Sequence, residues 1–192
     1  MKGPPETKRD ESGFSLLELL SIILILSILA GIAIPGFSAW LPDYRLKSAA
    51  RDLYSTLQRA KAGAANANET WGVFFDNSVS PGSYSTWSFG PNRKWDGGGG
   101  DDMRKDLGVN LSQYIGVDYG NGNALENIQG KPFGRFITYV TPDNVAIFSP
   151  RGTVNNLGYV YLCNSKGSAY AVGTPSQAGV IVMKKYNGSW QP

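Results

Sequence analysis

Histidine is absent from the 192 residues and Cys163 is the single cysteine. A histidine-based triad, an imidazole general base, a Cys/His zinc site and an intrachain disulfide are therefore all impossible within one chain. Cys163 ends the run Tyr159-Val-Tyr-Leu-Cys163, which reads as a strand with a buried thiol, since nothing can serve as its histidine base. Asp101 and Asp102 are adjacent on glycine-flanked backbone, with nothing to hold them as an acid/base pair. Asp96, Asp101 and Asp102 could gather around calcium, which prefers oxygen ligands, but their spacing is not that of an EF-hand and a solvated acidic loop accounts for them as well. Gly97 to Gly100 precede two aspartates instead of Lys-Ser/Thr and open no helix, so they are not a phosphate-cradling loop. Near the C-terminus Lys184 and Lys185 stand beside Tyr186 and Trp190. Two cations next to two aromatics could grip a phosphate backbone and stack on bases, or simply solubilise a strand edge. The net charge of +3, from 18 basic and 15 acidic side chains, is too small to imply nucleic acid by itself.

The remaining carboxylate of interest is Glu18. From Phe14 to Trp40 it is the only charged residue, and that apolar stretch exceeds the ~20 helical residues that cross a ~30 Å hydrocarbon core. Leucine and isoleucine lie on every side of such a helix, which suits lipid or the middle of a helical bundle. Ser21, Ser27, Ala30, Gly31 and Ala33 are small sites where another helix could approach closely. Gly31, Pro35 and Gly36 are expected weak points, where a kink or local unwinding is predicted. The stretch is longer than the apolar part of a secretory signal peptide, although Gly31-Ile-Ala33 could pass as a cleavage site. A plain anchor fits the length. Neither explains Glu18, because an ionised carboxylate deep in a bilayer costs ~2.5–3.5 kcal/mol, less near an interface or a helix N-terminus.

Beyond the span, Pro42-Asp43 suggests that the helix restarts, Asp43 being favourable near an N-terminus. Leu46, Ala49, Ala50, Leu53, Leu57, Ala60 and Ala64 then recur at helical spacing as one apolar stripe. Arg45, Lys47, Arg51, Arg59 and Lys61 occupy much of the rest of the helix and read as a solvated surface. From Thr70 the period changes. Segments 70–76, 84–89, 109–117 (interrupted), 135–141, 145–149, 158–163, 169–173 and 180–186 are short, β-branched or aromatic, and separated by Gly, Pro, Asn and Ser. Segments 96–102 and 116–130 read as mobile loops between them.

Gly13-Phe-Ser-Leu-Leu-Glu18, opening a long apolar helix, resembles the processing signal of the type IV prepilin and type II secretion pseudopilin superfamily. The run Arg59-Ala-Lys61-Ala-Gly-Ala-Ala-Asn66 and the later Phe148-Ser-Pro-Arg-Gly152 resemble the GspH/FimT-type minor pseudopilins within it. Alone, that second motif is only a turn after a strand. The resemblance implies an α+β, pilin-like fold: a long N-terminal helix, membrane half plus amphipathic half, packed on a C-terminal antiparallel β-sheet head. It implies a leader over 1–13, a transmembrane or filament-core helix over 14–40, an amphipathic helix over 41–68 and a β-rich periplasmic head over 69–192.

By the same resemblance, a prepilin peptidase cuts between Gly13 and Phe14 on the cytoplasmic face of the inner membrane and N-methylates Phe14. Glu18 would then pair with the terminal amine of an adjacent subunit, and the pair would select register and partner. The expected role is a non-enzymatic GspH-like minor pseudopilin of type II secretion, with other pseudopilins or minor pilins as partners through the N-terminal helix and no cofactor. The alternative is a FimT/FimU-like minor type IV pilin for pilus assembly or DNA uptake, with nucleic acid contacted through Lys184 and Lys185. The leader is longer and more mixed in charge than the family's usual one. Basic residues before the span (Lys2, Lys8, Arg9) and after it (Arg45, Lys47, Arg51) tie in number, so a cytoplasmic N-terminus follows from the resemblance alone.

Overall fold

The computed structural model describes residues 13–141 and 143–192; the leader segment, apart from Gly13, lies outside them. The chain divides into two compact units, Met1–Trp40 and Leu41–Pro192.

Helix α1, Leu16–Ala67, spans 52 residues. It continues through Gly31, Pro35, Gly36 and Pro42 without the local unwinding or the restart at Pro42-Asp43 that the sequence suggests. The physical reason is that each proline removes one backbone donor and weakens the ladder, while the bonds on either side persist. In the first unit, Leu16–Ile34 is long and apolar enough to cross a bilayer, and none of it is buried within the fold.

In the second unit the apolar stripe of α1 meets two sheets. Their strands are β1 (Trp71–Asp76), β2 (Ser83–Ser88), β3 (Met103–Arg104), β4 (Val109–Asn110), β5 (Val117–Tyr119), β6 (Val145–Phe148), β7 (Gly158–Asn164), β8 (Ala169–Thr174), β9 (Val182–Tyr186) and β10 (Trp190–Gln191). One sheet has the order β3-β2-β1-β6, with β4 also on β2; the other runs β10-β9-β8-β7-β5. Every pairing is antiparallel, as in Val73 opposite Thr86 and Ala146, or Val172 opposite Val160 and Met183.

All seven stripe residues predicted from the helical spacing have no exposed surface. They form one core cluster with Val73, Phe75 and Phe148 of the first sheet and Val160, Leu162 and Val172 of the second. At ~1.5–3 kcal/mol per fully buried large side chain, this shared stripe is what joins two small sheets into one head. A smaller cluster of Phe89, Val145 and Ile147, with Phe74, Trp87 and Trp95 against it, covers the other side of the first sheet.

One expected strand and one expected loop take a different form. Residues 135–141 make only the isolated bridge Ile137–Val160. Thr138 is the cause: its N–H donates to the Tyr159 carbonyl at 2.9 Å, but its Oγ1 accepts the Tyr159 N–H at 2.7 Å, so a side chain replaces the next ladder acceptor. The loop over 116–130 is in part ordered β structure, since it contains β5.

Candidate functional site

The processing residues lie where the apolar helix begins. Gly13, Phe14 and Ser15 precede α1 without helical structure and are exposed, and Leu19 N–H donates the first ladder bond to the Ser15 carbonyl at 3.1 Å. Glu18 is exposed in the first helical turn, the position where unpaired N–H groups and the helix dipole favour a carboxylate. Ser21 and Ser27 turn their hydroxyls back onto the helix, donating to the Glu18 carbonyl at 2.8 Å and the Ile23 carbonyl at 2.7 Å. Their polarity is thereby satisfied locally, leaving small apolar sites on the surface. Phe14, Leu16, Leu17, Leu20 and the other large apolar residues through Ile34 are exposed within this chain, so lipid or other helices must cover them.

Lower on α1, three polar side chains attach the helix to the head. Asp43 Oδ1 accepts from Asn164 Nδ2 at 2.8 Å. A hydrogen bond from the Ser168 hydroxyl, then that from Asn164 and the charges of Lys185 and Lys166, hold the Asp43 carboxyl below the usual range. Asp43 does not open a helix; it sits inside α1 and serves as an acceptor for the second sheet. Asp52 Oδ2 accepts from the Tyr84 hydroxyl at 3.0 Å and the Tyr114 hydroxyl at 3.2 Å. Burial first, then the Asp52 charge, pushes Tyr114 up to about 12 and Tyr84 higher still. Lys61 Nζ donates to the Gly179 carbonyl at 2.9 Å. Lys61 thus leaves the solvated face expected from its sequence position, and Asp52 carries an attachment that no motif marks. Helical spacing puts both beside the apolar stripe, which is the only signal that could have marked them.

The lysines of the suggested nucleic-acid contact separate. Lys184 and Lys185 are consecutive on β9, and strand alternation sends them to opposite faces of the sheet. Lys185 shares its face with Met183 and acts on Asp43; Lys184 shares the other with Tyr186. Trp190 is engaged in packing, 5.3 Å from both the Tyr161 and Tyr186 rings, and donates its indole N–H to the Glu126 carbonyl at 2.9 Å.

The acidic loop is folded on itself. Asp102 Oδ2 accepts from the Asp96 N–H at 2.7 Å and the Gly98 N–H at 3.0 Å, and Asp96 Oδ2 accepts from Asn92 at 2.6 Å. Among the described residues of this loop Asp102 Oδ1 is the one buried side-chain oxygen without a partner, against the six to eight oxygens calcium takes. Among the described residues no group of three or more His, Cys, Asp or Glu could hold a metal ion. Burial pushes the Cys163 thiol up, leaving it protonated at neutral pH.

A carboxylate in the first turn of an unburied apolar helix, followed by an antiparallel head docked on that helix's second half, defines a pilin-like subunit. Comparison with known families bears this out: residues 8–34 match the prokaryotic N-terminal methylation motif, and residues 49–180 match the family described as Type II transport protein GspH. The chain belongs to the GspH family, and so is a minor pseudopilin of type II secretion, a structural subunit and not an enzyme. Among solved structures it is similar to the minor pseudopilin EpsH from the Type 2 Secretion System of Vibrio cholerae, at 11% identity and a TM-score of 0.41, over 73% of this chain and 97% of that one. The comparison with curated proteins found no match.

Proposed function

We propose that this chain is made as a prepilin, cut between Gly13 and Phe14 by a prepilin peptidase, N-methylated on Phe14, and held in the inner membrane by the first part of α1. The N-terminus faces the cytoplasm and the head the periplasm. From there the helix passes into a pseudopilus whose interior consists of like helices. Glu18 pairs with the terminal amine of a neighbouring subunit, which offsets the cost of burying both charges and fixes the axial register.

The observation that carries this reading is the fully exposed apolar segment Leu16–Ile34 with Glu18 in its first turn. A helix with no partner in its own fold needs lipid before assembly and other helices after it. Gly13 also supports it: space around its Cα is open, and without a side chain it leaves the bond to Phe14 accessible.

The test is mass spectrometry of the full chain purified from cells with an active prepilin peptidase. The expected species begins at N-methylated Phe14. Finding residues 1–13 still attached would sink the proposal.

A further inference from the structure

We propose that the head carries a carboxylate-binding pocket, built by Arg93 and Arg151, that takes an acidic side chain of a protein partner. The two arginines line one cavity of about 540 Å³ together with Asn68, Ser149, Thr153 and Asn155. Three separate parts of the chain meet there: the residue after α1, the loop after β2, and the turn Phe148-Ser-Pro-Arg-Gly152 that follows β6. In sequence that turn is only a weak motif. In the fold it places a guanidinium.

The turn is rigid, which gives Arg151 a fixed origin. Ser149 N–H donates to the Thr153 carbonyl and Gly152 N–H to the Ser149 carbonyl, both at 2.9 Å, and the Ser149 and Thr153 hydroxyls are 2.6 Å apart. Arg93 is held by its N–H on the Gly90 carbonyl at 3.3 Å, with φ of 56°. Three other cations of the head are already engaged within the fold: Arg104 donates to the Leu107 carbonyl, Arg59 to Thr56 and Lys61 to Gly179. Among the described residues neither the Arg93 nor the Arg151 guanidinium has a protein acceptor, and no carboxylate lines the cavity. Two planar forks of five donors each, with hydroxyls and amides between them, match an anion that accepts in bidentate fashion.

At the end of α1 the Ala65 and Ala64 carbonyls accept the N–H groups of Asn68 (3.4 Å) and Glu69 (3.1 Å), which leaves less of the helix's negative end unpaired beside the cavity. A protein carboxylate is favoured over a nucleic-acid phosphate. No aromatic ring lines the cavity to stack a base, and two cations in a pocket are not a row along a backbone. The inference rests on the head alone, so its failure would leave the membrane and filament reading untouched.

The experiment uses the full chain in detergent micelles, with fluorescein-labelled hexaglutamate and a labelled single-stranded DNA as probes in anisotropy titrations. Hexaglutamate is expected to bind, and the R93A/R151A double variant to weaken it by roughly tenfold or more. K131A/R135A, which removes the same charge from exposed residues outside the cavity, is expected to leave it within about twofold. Because a variant can lose its fold, the wild-type chain provides a second readout: the Arg93 and Arg151 Nε–H resonances shift on adding hexaglutamate. No binding, equal loss in both double variants, or unshifted arginine resonances overturns the proposal. DNA that binds more tightly than hexaglutamate through the same two arginines overturns it in favour of a phosphate site.

Discussion

Asp43 and Asn164 lie 121 residues apart in sequence, yet Asn164 Nδ2 donates to Asp43 Oδ1 at 2.8 Å, tying α1 to the end of β7. Asn164 also shapes the β7–β8 turn, its Oδ1 accepting the Lys166 and Ser168 N–H groups, each at 3.0 Å. One amide therefore fixes the turn and holds the helix. Because the Asp43 carboxyl is depressed, its contribution to stability is fully present above the ordinary carboxylate pKa and is lost as pH falls through its lower folded value. Asp43→Asn is expected to lower stability at pH 7 by about 1 kcal/mol, a value kept small by solvent around the site, and to flatten the acid limb of a Tm-against-pH curve below the usual carboxylate range. An unchanged acid limb would show that Asp43 is not a source of that dependence.

Asp52 accepts from two tyrosine hydroxyls, and Tyr84 is almost fully buried. Asp52→Ala strands at least one buried hydroxyl, at about 2 kcal/mol, which for a chain of this length lowers Tm by about 5 °C. Adding Tyr84→Phe removes the stranded group, so the double variant is expected to recover part of that loss in thermal melts.

Gly63 lies against the Trp71 indole of the first sheet. A Cβ at this position would fall inside the Trp71 indole. Gly63→Ala gains helix propensity of about 1 kcal/mol, but the collision costs about 1–3 kcal/mol of overpacking, so a net loss is expected in chemical denaturation. Trp71→Ala in the same chain should make the Gly63 substitution neutral or favourable; additive effects of the two changes would contradict the contact.

Glu18→Leu separates membrane insertion from assembly. Removing a carboxylate from an apolar helix does not impede insertion, and processing between Gly13 and Phe14 is expected to continue, as read by mass spectrometry. Incorporation into sheared pseudopilus fractions is expected to fall below detection, because an unpaired buried amine costs about 3–5 kcal/mol. Normal incorporation would remove Glu18 from the assembly mechanism.

The sequence by itself determined the elements with their own periodicity. Glu18 and the apolar run, the seven-residue stripe from Leu46 to Ala64 and most strands were legible because each is set by a spacing of side chains along a few turns or pleats. The Gly13-to-Glu18 motif was legible for the same reason. Tertiary structure alone decided what depends on docking: the division into two sheets, the substitution of Thr138 Oγ1 for a ladder acceptor, and the attachments made by Asp43, Asp52 and Lys61. Arg93 and Arg151 show the limit most directly. Each is an ordinary surface cation in its own segment, and nothing local brings them to one cavity; only packing of the loop after β2 against the turn after β6 does so.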